Sequence, residues 1–162
     1  MAMLAMDDKD LDGEFRIWAG DLSRRVIQIA RTGRYGARAV ASLPTELRHR
    51  YLRDVSEGAT PMFEIADVLR QRVRFMAINI VNIFGLGLRL DVIFCHNVLI
   101  YFSPATVSRV VALLAGRLNV GGYLLLGPGE APSERPPGLE LVSVNGARAF
   151  RRTSAWPIEV RA

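Results

Sequence analysis

The stretch DVIFCHNVLIYFSP, residues 91–104, decides how the chain is read. An apolar run, Val92-Ile93-Phe94-Cys95, meets the polar pair His96-Asn97 and then resumes through Val98, Leu99, Ile100, Tyr101 and Phe102. A buried element tolerates polar side chains at its centre only where hydrogen bonds or a ligand satisfy them. The reading that resolves this is a buried strand that ends at His96-Asn97, with its carboxyl edge meeting a ligand. The second apolar run then continues as core toward the next helix. Ser103-Pro104 opens that helix, a capping hydroxyl followed by proline at the first helical position.

On the carboxyl side, Val107, Val110, Val111, Leu114 and Leu118 form the buried stripe of this helix, and Gly121-Gly122 is expected to end it. Residues 123–126 read as a strand, and 127–138 as a loop rich in Pro and Gly. Asn145-Gly146 lies between strand-like runs at 139–144 and 147–151, the strongest short signal for a hairpin. On the amino side, Phe15 to Ala19 alternates and halts at Gly20-Asp21, a short strand with an acidic end. Ser23 can cap a helix whose face is Val26, Ile27, Ile29 and Ala30, closed by Gly33. A shorter helix is expected over 42–53, and 62–74 alternates weakly, as a small strand or hairpin would. Residues 73–79 form a further strand that ends in Asn79.

This order of elements predicts an α/β domain with a mostly parallel sheet and an antiparallel carboxyl-terminal hairpin. Ligands of such sheets bind at the carboxyl ends of strands. Here those ends carry Asp21, Asn79 and His96-Asn97, and three polar strand ends are a better signal than one.

Composition excludes several classes. At 162 residues the chain is most simply one domain, with 50% hydrophobic and 23% charged residues, as in a folded soluble protein. No apolar run reaches the roughly 20 residues a membrane helix needs. The opening MAMLAMDDKD lacks the basic start and long apolar core of a signal peptide and does not read as one. The single cysteine, Cys95, excludes an internal disulfide framework, which fits a cytoplasmic protein, and reads as a small core residue. With only His49 and His96 present, no metal cluster is expected, and His49 reads as a surface residue of its helix. The net charge of +5 comes mostly from arginine. Those arginines are scattered, which favours solvated faces over a nucleic-acid site.

The run IFCHNVLIYFSPATVSRVVALLAGRLNVGGYLLLGPGE, residues 93–130, closely resembles the matching segment of the CheR-type chemoreceptor glutamate methyltransferases. WAGDLSRRVIQIARTGRYG and FMAINIV resemble two further segments of that family, in the same order, so that the likeness covers roughly residues 14–152. The resemblance implies a Rossmann-like class I methyltransferase fold, S-adenosylmethionine as methyl donor (with S-adenosylhomocysteine as its product), and chemoreceptor helices as substrate. It implies that Asp21 holds the ribose hydroxyls, that Asn79 and Ile80 lie against adenine, and that Asn97 binds the methionine end. His96 stands beside it where the family has arginine, and Tyr101 would face the reacting methyl group. Simpler alternatives stay open for each. Asp21 can cap the following helix, Asn79 can be a turn residue, Asn97 a buried amide, and Tyr101 a core aromatic.

The family pattern is not complete. The glycine-rich cofactor loop and the central strand before it have no counterpart, and neither has the helical substrate domain with its arginine. Pro128-Gly129 replaces His-Ser in the last motif. The expected organisation is a leader over 1–13, a partial methyltransferase domain over 14–153 and a tail over 154–162. Cofactor binding is then expected to be impaired unless a longer chain, a partner or second copy (a homodimer or exchanged strand), or direct pairing of the strands closes the gap. A non-catalytic remnant serving as an interaction or regulatory module is the alternative to an active portion of the enzyme.

Overall fold

β1 (Ile17–Asp21) forms because Phe15 to Ala19 alternates, and it pairs in parallel with β5 (Val73–Ala77), from Ile17 opposite Val73 to Asp21 opposite Ala77. The computed structural model describes residues 15–82, 87–144 and 146–153. The expected leader, the tail and Asn145 of the hairpin turn lie outside the described residues. The chain forms two compact units that divide between Asn79 and Ile80.

In the amino-terminal unit, α1 (Arg24–Thr32) begins where the Ser23 hydroxyl accepts the Val26 N–H at 3.3 Å and ends at Gly33 in the left-handed conformation, as its sequence predicts. Of its apolar face only Ile27 is buried; Val26 and Ile29 are exposed. Next come β2 (Arg34–Gly36), α2 (Ala37–Val40), α3 (Thr45–Tyr51), β3 (Leu52–Asp54), β4 (Met62–Ile65) and α4 (Asp67–Arg70). β4 is the centre of an antiparallel three-stranded sheet with β2 and β3 on its two sides. The alternation over 62–74 resolves into β4 and the short α4. β2 and β3, at three residues each, are too short to leave a period.

Glu64 on β4 explains part of the arginine content. It faces Arg34 on β2 and Arg53 on β3 across the ladder, pairs with both, and lies 3.7 Å from Arg70 on α4. Hydrogen bonds from Arg53 and then Arg34 hold its carboxyl below the ordinary value. Three further arginines lie over rings, Arg72 over Phe15, Arg50 over Tyr51 and Arg48 over Phe63. These arginines act on their own fold as well as facing solvent.

The second unit holds a 3-10 turn (Ile80–Asn82), β6 (Leu90–Cys95), a second 3-10 turn (Leu99–Tyr101), α5 (Pro104–Ala115), β7 (Leu118–Leu126), β8 (Leu139–Val144) and β9 (Ala147–Arg152). Its sheet runs in the order β6-β7-β9-β8, parallel between β6 and β7 and antiparallel elsewhere. The β8–β9 hairpin closes with Val144 opposite Ala147, where Asn-Gly predicts it. The core gathers here: Val110, Val111, Leu113 and Leu114 of α5 are buried, with Leu118 and Leu124 of β7 and Phe150 of β9.

Two expectations are corrected. First, α5 stops at Ala115 and not at Gly121-Gly122. Arg152 is only 4% exposed and donates to the carbonyls of Ala115 at 3.1 Å, Gly116 and Leu118, while Arg89 donates to Gly116 at 2.7 Å. Two cations thus take the carbonyls left over at the helix end. Gly121-Gly122 lies instead inside β7, where the register against β6 slips from Leu90 opposite Leu118 to Val92 opposite Tyr123. Gly121 has φ 85°, and a side chain on Gly122 would crowd the carbonyls of Asp91 and Asn119. Second, β6 is not buried on both faces. Ile93 and Cys95 point inward, while Val92 and Phe94 are 41% and 38% exposed. β6 is an edge strand beside β7, and β1 is likewise paired only with β5. Among the described residues no strand occupies the second side of either.

Replacing Arg152 with methionine keeps the volume and strands the carbonyls it serves. The expected loss is about 2–4 kcal/mol in urea unfolding. An unchanged midpoint would show that Arg89 and water suffice to close the helix.

Candidate functional site

Asp21, Asn79 and His96-Asn97 fall at or just beyond the ends of parallel strands, Ile80 and Tyr101 lie in 3-10 turns, and all but Ile80 are exposed. In the amino-terminal unit, Asp21 closes β1 and Asn79 follows β5, so both stand at the carboxyl end of one parallel pair. The Ile78 N–H donates to the Asp21 carbonyl at 3.0 Å and ties the two ends together. The Asp21 side chain does what its simpler alternative required, since Oδ1 accepts the Ser23 N–H at 2.7 Å and sets up the cap of α1. That bond uses one carboxylate oxygen, Oδ1.

In the second unit, Ile80 is half-buried at the start of its 3-10 turn, and His96-Asn97 follows β6 directly. The polar pair that interrupts the apolar run therefore lies outside the core, at the strand end. Asn97 has φ 59°, the one positive value away from glycine among the described residues. Asparagine is one of the few side chains that enter this conformation at low cost. The expectation that Val98 to Phe102 continues as core is corrected: only Leu99 is fully buried, and Ile100 is exposed. Tyr101 is 78% exposed, which removes its core-aromatic alternative.

The residue that shapes this end of β6 is one the strand pattern does not flag. Glu130 is 2% exposed. Its Oε2 accepts the N–H of Asn97 at 2.9 Å and of Gly127 at 2.8 Å, and its Oε1 accepts those of Val98 and Leu99 at 2.7 Å each. Burial alone would raise the carboxyl. The bonds from Val98, Leu99, Asn97 and Gly127 outweigh it and hold the group below its ordinary value. Cys95 senses the arrangement: burial, then the charge of Glu130, pushes its thiol up to about 11, so it is no thiolate nucleophile at neutral pH.

The Gly127-Pro128-Gly129-Glu130 turn delivers that carboxylate. Pro128 stands at the second position, Gly129 at the third with φ 76°, and the Glu130 N–H donates to the Gly127 carbonyl at 3.1 Å, the pattern of a type II turn. A Cβ on Gly127 would collide with the Glu130 carboxylate. Pro128-Gly129, a departure from the family motif, is thus well suited to turning Glu130 back onto the β6 loop. One sequence signal could have found Glu130, namely a lone acid closing a Gly-Pro-Gly turn at the end of the matching segment.

In each unit one parallel strand pair, β1–β5 or β6–β7, ends in exposed polar residues, the place where α/β folds bind their ligands. A model of the CheR methyltransferase SAM-binding domain matches residues 1–145, so the chain belongs to that family, and S-adenosylmethionine is the cofactor of its fold. It is 35% identical to the chemotaxis protein methyltransferase of Vibrio parahaemolyticus over 130 residues, 80% of this chain and 46% of that protein. It is 34% identical to the probable biofilm formation methyltransferase WspC of Pseudomonas aeruginosa over 145 residues, 88% of this chain and 33% of that protein. The chain thus spans a third to a half of the length of these relatives. A solved structure, TrmN from Thermus thermophilus, aligns with a TM-score of 0.49 at 14% identity, over 85% of this chain and 36% of that one. No helix among the described residues is long and apolar enough to cross a membrane.

Because the folded Glu130 carboxyl titrates below its ordinary 4.5, its contribution to stability is complete above that value and is lost as pH falls through the lower folded one. Asp54 and Glu64 share this direction, so the comparison with Glu130→Gln isolates one group. Thermal unfolding of the parent is expected to lose more of its midpoint on acidification than the variant does. Parallel curves would mean that folding does not shift the Glu130 carboxyl, and a parent that loses less than the variant would mean that the group is protonated in the fold.

Proposed function

We propose that this chain carries the cofactor-binding and methyl-transferring portion of a methyltransferase acting on glutamate side chains of chemoreceptors in the cytoplasm. One observation supports this above the rest. The parallel strands β1, β5 and β6 lead into exposed polar residues, Asp21, Asn79 and His96-Asn97, in a chain of the CheR SAM-binding family.

The residues present suit the cofactor one by one. The Asp21 carboxylate has the acceptors for a vicinal diol, with Oδ1 already ordered by Ser23. Asn79 and Ile80 offer an amide and an apolar surface to a purine. Asn97 presents a side-chain amide, and His96 a ring, to the amino-acid end. S-adenosylmethionine, when bound, supplies an electrophilic methyl group on a sulfonium. Glutamate is ionised at neutral pH and needs no base to deprotonate it, so the work left to the chain is alignment and exclusion of water. Alignment alone is worth about 7–11 kcal/mol of barrier in favourable cases. Tyr101, exposed beside this strand end, has a hydroxyl that can orient the incoming carboxylate.

A second reading, the non-catalytic remnant, is favoured by the edge positions of β1 and β6, because no strand of the described residues supplies the family's glycine-rich loop. Calorimetric titration with S-adenosylhomocysteine separates the two. The first reading expects saturable binding that Asp21→Ala weakens by roughly tenfold or more. No binding to the folded chain would favour the remnant. Binding indifferent to Asp21→Ala would reduce Asp21 to its helix-capping role.

A further inference from the structure

Three consecutive backbone N–H groups, those of Asn97, Val98 and Leu99, converge at the end of β6 in the manner of an anion-binding nest. Such a nest beside a cofactor residue would ordinarily be assigned to the ligand. Here it is already filled. Both oxygens of Glu130 are engaged, one by Val98 and Leu99 and the other by Asn97 and Gly127, in a site closed to solvent. The N–H groups are therefore not available to a cofactor carboxylate.

We propose that Glu130 is the positioning residue of the β6 loop: its buried carboxylate fixes Asn97 in the left-handed conformation and so sets where the Asn97 side chain stands. This rests on the reading of Asn97 as a cofactor residue given above, and it adds that Asn97 acts through its side chain. Three features converge on the assignment. A non-glycine residue at φ 59° needs its surroundings to hold it, and the Asn97 N–H is bonded directly to the carboxylate. Val98 and Leu99 are held at 2.7 Å by the other oxygen, so the chain cannot swing about Asn97. Gly127, whose N–H also reaches the Cys95 carbonyl at 3.3 Å, leaves the space the carboxylate occupies and links it to the last β6–β7 pair.

The test compares the parent with Glu130→Gln, Asn97→Gly and the double variant, each shown to be folded by circular dichroism. Glutamine keeps the shape but turns an N–H2 toward N–H donors; glycine keeps the left-handed backbone and removes the amide. The φ-sensitive backbone coupling of Asn97 is expected to move in Glu130→Gln while those of Ile93 and Leu124 stay put. An Asn97 coupling indifferent to the substitution overturns the proposal, whether or not any ligand binds. S-adenosylhomocysteine affinity is expected to fall by roughly tenfold in each single variant, with no further fall in the double variant. Losses that multiply would overturn it, since Glu130 would then act other than through Asn97. Failure of the parent to bind would count against the cofactor reading alone, leaving the coupling to decide this one. Should Glu130→Gln not fold, Glu130→Asp, which keeps the charge one methylene short, is expected to move the same coupling, and an unmoved coupling there is equally fatal.

Discussion

A carboxylate taken out of water and given to four backbone N–H groups is the interaction on which the second unit's loop geometry depends. A bare buried charge costs several kcal/mol, and only donors aimed at both oxygens offset it. Glu130 meets that condition with Asn97, Val98, Leu99 and Gly127. The requirement propagates outward. Gly127 must lack a side chain, Pro128-Gly129 must turn, and the chain after Cys95 must leave its strand through a left-handed residue. What reads in the sequence as a polar fault in an apolar run is the place where β6 ends and this clamp begins.

The capping and turn chemistry was legible in the sequence because it is local. Ser23, Gly33, Ser103-Pro104 and the hairpin around Gly146 each act within a few residues of themselves, and each lies where its chemistry predicts. The strand ends at Asp21 and His96-Asn97 were legible for the same reason. What escaped depends on distant partners. Gly121-Gly122 carries the same local signature as a helix end. Only the slip of β7 against β6, together with Arg152 and Arg89 at the true end of α5, shows it to be a bulge. Glu130 escaped because its partners lie more than thirty residues away, at Asn97 to Leu99.

The two units balance charge differently. In the amino-terminal unit Glu64 is shared among Arg34, Arg53 and Arg70, side chains that remain partly in solvent. In the other, the buried ionisable groups Glu130 and Arg152 are met chiefly by backbone, one by N–H groups and the other by carbonyls. Backbone partners are fixed by the fold and cost little extra ordering. At the end of β6 only the Glu130 side chain has rotamers to lose, because all four of its donors are backbone N–H groups.

The most direct test of the account is to titrate the 15N-labelled chain with S-adenosylhomocysteine and follow its amide shifts. Movement is predicted at Asp21 and Leu22, at Asn79 and Ile80, and at His96 and the Asn97 side-chain amide. The Val98 and Leu99 amides, already committed to Glu130, should move least in their loop. Shifts confined to the arginines around Glu64, or a spectrum that does not change, would contradict the placement of the cofactor at the strand ends.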